Sequence, residues 1–138
     1  MRRARGMTLV ELVMVAAIVG VLASMAVPSF KRALEQSRAD VACANLRAIW
    51  SAQRLYWLDN RTYAGDLQTL QSLDLLDTGI ENQSIYAYEI KLADATGFTA
   101  IATRSSPSLW TGTFAIDSTG AVTGLLSAAG ESDILPTY

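Results

Sequence analysis

The feature that most constrains this chain is an apolar run from Met7 to Val27, 21 residues broken by a single charge, Glu11. As a helix it measures about 31 Å, against a hydrocarbon core about 30 Å thick, so it is long enough to cross a membrane once. Arg2, Arg3 and Arg5 precede it, and Lys31 and Arg32 follow. The arginine cluster predicts a cytoplasmic amino end.

An ordinary secretory signal also begins with basic residues, an apolar stretch and small residues, here Ser24 and Ala26, at a cleavage spacing. Against it, the run is longer than the apolar region of such signals, and a carboxylate has no purpose in a segment that is discarded. An ionisable side chain inside a spanning helix costs about 2–3 kcal/mol at the bilayer centre and marks a functional site whose partner must be found. No Lys or Arg lies within the run. A cation for Glu11 therefore comes from the chain's own amino end or from another molecule. An amine freed by cleavage between Gly6 and Met7 would qualify, and it would meet Glu11 of a neighbouring copy if the two were axially staggered.

The leader "MRRARG" followed by "MTLVEL" resembles the class III signal of type IV pilins and of the pseudopilins of type II secretion: a short basic leader ending in Gly, then an apolar motif with Glu as the fifth mature residue. The resemblance implies cleavage after Gly6 by a prepilin peptidase, N-methylation of Met7, and pairing of Glu11 with a neighbour's amino terminus during assembly. It also implies a loosened helix between Gly20 and Pro28, and an inner-membrane assembly platform as a partner beside other pilin subunits. Met7 stands where the family more often has Phe. The expected organisation is a leader at 1–6, an assembly helix at 7–27 and a periplasmic or extracellular globular domain at 28–138.

From Lys31 onward twelve acidic residues face eight basic ones, which leaves no basic footprint for nucleic acid. The chain has no histidine and one cysteine, Cys43, so Ser-His-Asp and Cys-His mechanisms and the usual zinc ligand sets are excluded, as is an intrachain disulfide. No cofactor, metal or catalytic residue is expected. Cys43 lies in a helical apolar pattern and reads as a buried small residue.

Beyond Pro28, thirty residues without glycine or proline continue the helix. Cys43, Leu46, Ile49, Trp50, Tyr56 and Trp57 recur at three-and-four spacing and form a core-facing stripe. Lys31, Glu35, Arg38, Arg47 and Arg54 are expected on the opposite, solvated face. Pro28 is tolerated as a kink within one helix of about fifty residues.

"DNRTYAGDL" breaks the pattern, and Asp66 is placed to cap a short helix through "LQTLQSLDLL". "SIYAYEIKL" alternates Tyr86, Tyr88, Ile90 and Leu92 with polar or small residues, the period of a half-buried strand. "FTAIAT", "TFAID" and "AVTG" follow as further strands joined by "ADATG", "RSSPSLWTG" and "STG". The fold class expected is α+β: a long N-terminal helix, membrane-spanning in its first half and amphipathic in its second, packed on an antiparallel sheet of three to four strands. This also resembles the sheets of small minor pilins, many of which close their tail with a disulfide that this chain cannot form. The tail reads as irregular, with Ile134 and Leu135 as candidates for packing.

Asp74, Asp77 and Glu81 do not match a calcium loop and read as a solvated turn. Trp110, in a loop, is balanced between packing and recognition. The function expected is a structural filament subunit, favoured as a minor pilin of a type IV pilus. A pseudopilin of a secretion or competence system is the alternative. A secreted enzyme behind an ordinary signal and a single-span binding module are the readings from other classes.

Overall fold

The computed structural model describes residues 7–80, 83–105 and 107–136, and residues 25–29 by their backbone alone. The chain divides into two compact units, the first ending at Glu35 and the second beginning at Gln36. Helix α1, Leu9–Asn60, contributes to both. The second unit adds helix α2 (Leu67–Ser72), one 3-10 turn (Thr78–Ile80) and strands β1 (Tyr86–Ala93), β2 (Phe98–Arg104), β3 (Thr111–Asp117) and β4 (Val122–Ser127). The strands form one antiparallel sheet in the order β1-β2-β3-β4, the α+β layout expected.

The core of the second unit follows from side-chain size. Ala39, Ala42, Cys43, Leu46, Ile49 and Ala52 form the buried face of α1. On the sheet, Ala102 of β2 lies between Tyr88 and Phe114, and Ala100 between Ile90 and Ile116, so each layer sets one small side chain between two large ones. Gln53, fully buried, pairs its amide with the backbone of Ala64: Nε2 donates to the Ala64 carbonyl and Oε1 accepts the Ala64 N–H, both at 2.8 Å. That reciprocal pair ties the chain leaving α1 back onto it, and Asp66 then caps α2 by accepting the Thr69 N–H at 2.6 Å.

Three expectations are corrected. Leu92 is 70% exposed, because a bulge between Ile90 and Leu92 inserts Lys91 and shifts the alternation by one residue. Glu35 is 2% exposed; it stands four residues before Ala39, in line with the buried stripe rather than on a solvated face. Leu135 is exposed, whereas Ile134 is fully buried. The tail is held without a disulfide: Leu126 and Ile134 exchange both backbone hydrogen bonds at 2.9 Å, an added bridge on the β4 edge. Glycine is required on the β3–β4 ladder, where a Cβ at Gly124 (φ 110°) would stand 2.1 Å from the Thr113 carbonyl oxygen.

Candidate assembly site on the N-terminal helix

The start of α1 is built by its own sequence. The Thr8 hydroxyl accepts the Glu11 N–H at 3.3 Å, and the Thr8 carbonyl accepts the Leu12 N–H at 3.2 Å. Threonine before the helix with glutamate three positions later is the spacing of a capping box, a local signal in "TLVE" that the sequence reading passed over. Glu11 is the acidic residue of the first turn, where the positive end of the helix dipole favours a carboxylate by about 0.3–1 kcal/mol. That offsets only part of the cost of placing it in lipid.

Around this carboxylate the helix is apolar on every side, and every described residue from Met7 to Ser24 is exposed, Leu9 at 80%. A helix apolar all round needs lipid or other helices to cover it. Gly20 touches nothing that a Cβ would disturb within 4 Å, so packing within the chain does not require glycine there. Pro28 lies within the bounds of α1, its side chain outside the described residues. Gly6 lies outside the described residues as well. Among the described residues no helix is long and apolar enough to cross a membrane.

The other candidates sort into packing. Trp110 is buried in the core of the second unit, its loop turned inward by the Ser108 hydroxyl accepting the Trp110 N–H at 2.9 Å. Cys43 is buried, and burial pushes its thiol up from the usual range. Asp77 closes the turn into the 3-10 segment by accepting the Gly79 N–H at 2.7 Å, and Glu81 lies outside the described residues.

A repeated device also went unread. Trp50 donates its indole N–H to the Ser118 carbonyl at 3.1 Å, and Trp57 donates to the Ala95 carbonyl at 3.3 Å. The acceptors sit in two hairpin turns of the same sequence type, "DATG" (94–97) and "DSTG" (117–120). Each indole carries an arginine four residues on: Arg54 lies 4.9 Å from the Trp50 ring and Arg61 5.1 Å from that of Trp57. Asp94 and Asp117 fold back onto Thr96 and Thr119, whose side chains and backbone amides donate to them and hold both carboxyls below the usual range. These turns lock one end of the sheet to α1.

Residues 1–27 match the prokaryotic N-terminal methylation motif. The type IV wide pilus major component PilA4 of Thermus thermophilus is 32% identical over 110 residues, covering 80% of this chain and 81% of that protein. The chain belongs to the type IV pilin and pseudopilin family. Within it, the type IV major pilin PilA of Myxococcus xanthus is 39% identical over 62 residues, 45% of this chain and 28% of that longer protein. The type II secretion system core protein G of Pseudomonas aeruginosa is 36% identical over 78 residues, 56% of this chain and 55% of its own length. The chain is thus a structural subunit of pilin or pseudopilin type and not an enzyme.

Proposed function

We propose that this chain is a subunit of a type IV pilus, assembled through the exposed apolar helix described above. Residues 1–6 are a leader cut after Gly6 by a prepilin peptidase, the new amine of Met7 is methylated, and residues 7–27 hold the subunit in the inner membrane with the amino end cytoplasmic until an assembly platform extracts it. Within the filament, Glu11 of one copy is neutralised by the Met7 amine of a staggered neighbour. The globular domain, residues 28–138, then lies outside the inner membrane, in a surface pilus or a periplasmic pseudopilus.

The observation that carries this reading is the segment from Met7 to Ser24: an exposed apolar helix with one carboxylate, Glu11, and no cation in its run. Coverage of four-fifths of the Thermus pilus component, against about half of the Pseudomonas secretion protein, favours a pilus over a secretion machine. The two pilin relatives above are named as major components, which supports a filament-building subunit without confining it to a minor role. The secretion reading is favoured in turn by the identity to core protein G over half of the chain.

Intact mass of the membrane-extracted protein tests the processing steps. Loss of residues 1–6 with one added methyl group is the expected result. Loss of residues 1–26 would instead support an ordinary secreted protein, and an intact leader would support a permanently anchored one.

A further inference from the structure

Beside the two tryptophan-locked turns, the second unit leaves an open cavity of about 560 Å³, lined by Arg54, Leu55, Trp57, Leu58, Tyr63 and Ser118. That volume falls within the range of small-ligand sites. All six residues belong to the second unit, so the cavity is complete in a single subunit. Leu55 and Leu58 are 51% and 58% exposed, two apolar side chains left uncovered beside a guanidinium. The aromatic wall is fixed in place. Trp57 is tied through its indole N–H to the Ala95 carbonyl, and Tyr63 packs between Trp57 and Phe98 at centroid distances of 6.4 and 5.1 Å.

The cations are placed as deliberately as the rings. A guanidinium resting on an indole, as Arg54 rests on Trp50, keeps its N–H groups for a planar anion. Arg61 ends α1 with a positive φ of 56°, its N–H donated to the Trp57 carbonyl at 2.9 Å, in a position that usually falls to glycine or asparagine. An arginine there stands over the Trp57 ring, which neither of those residues could reach. The turn carboxylates of Asp94 and Asp117 are engaged by Thr96 and Thr119, and among the described residues no ion pair joins Arg54 or Arg61 to an acid.

We infer that this cavity binds an acidic sugar, a pyranose ring carrying one carboxylate. The C–H face of such a ring packs on Trp57, Leu55 and Leu58, its hydroxyls meet those of Tyr63 and Ser118, and its carboxylate takes the fork of Arg54. Arg61 is a positioning residue that braces Trp57. A neutral sugar leaves Arg54 without its anion. A nucleic acid brings a phosphate at every unit, which Asp59, Asp94 and Asp117 around the site oppose, in a domain with twelve acids to eight bases from Lys31 onward. Binding needs no second copy, so it stands or falls apart from filament assembly.

The test titrates the full chain, solubilised in a zwitterionic detergent, with digalacturonate and follows tryptophan fluorescence. Trp50 and Trp57 flank the site, whereas Trp110 is buried at the opposite end of β3. The expected result is a saturable change with digalacturonate and none with the neutral galactose disaccharide or with sulfate alone. Arg54→Gln is expected to weaken binding about tenfold or more at an unchanged thermal midpoint, since it removes a charged hydrogen-bonding partner from an exposed position. Leu58→Asp, also on the surface, should abolish binding by setting a like charge in the cavity. Lys91→Gln, the same loss of charge away from the site, should bind as the unmodified chain does. No saturable change with digalacturonate, equal binding of the neutral disaccharide, an equal loss in Lys91→Gln, or tighter binding of oligo-dT each overturn the inference.

Discussion

The two units of this molecule handle apolar surface in opposite ways. From Gln36 onward, large side chains are layered against small ones until Phe114, Leu46 and Ile134 are completely covered, and the buried Gln53 amide is paired at both ends. From Met7 to Ser24 every residue is exposed, and no side chain is buried by the rest of the chain. The difference teaches that the second unit encodes a fold and the first encodes an association. Substitutions should therefore separate cleanly, stability responding in one unit and assembly in the other.

The largest expected effect on that separation is Phe114→Ala, which removes the ring packed against Tyr86 in the sheet layer and should cost about 3–5 kcal/mol of unfolding free energy. Urea denaturation of the purified globular unit measures this, and leader cleavage should proceed as before. If cleavage fails instead, the units are not independent. Gln53→Met comes next. It fills similar volume but strands the Ala64 N–H and carbonyl in a buried site, for about 2 kcal/mol in the same measurement. Asp66→Ala should cost about 1 kcal/mol by uncapping α2.

The smallest effect is a response to acid. The carboxyls of Asp94 and Asp117 are held low mainly by the side-chain hydroxyls of Thr96 and Thr119. Their folded pKa lies below the unfolded one, so they stabilise the fold fully above about pH 4, and that contribution is lost as the pH falls through the folded value. Thermal midpoints recorded across that acid range should fall less steeply for Thr96→Val and Thr119→Val together than for the unmodified chain. A parallel fall would show that the turn hydroxyls do not set the titration.

Much of the fold was legible where one residue type has one physical use. Asp66 before an apolar pattern announced a cap, and the Tyr86-Tyr88-Ile90 alternation announced a strand. The alternation failed at Leu92 because a bulge leaves no mark on the apolar count. Glu35 misled because its charge outweighed its helical position, which sits with Ala39. Trp110 was undecided because the turn that folds it inward depends on a hydroxyl two residues earlier, and Ile134 found its place only through pairing with Leu126. At the candidate assembly site, Glu11 stood out by its chemistry, whereas Thr8 did not, since its role is visible only in a hydrogen bond to the backbone of Glu11.

The claim on which the rest depends is that Glu11 in one copy is neutralised by the amino terminus of another. Co-expressing Glu11→Val chains with unmodified chains and counting each in sheared filaments tests it most directly. The account predicts that the variant is cleaved, inserted in the membrane and almost absent from filaments; a variant incorporated in proportion to its expression would contradict it.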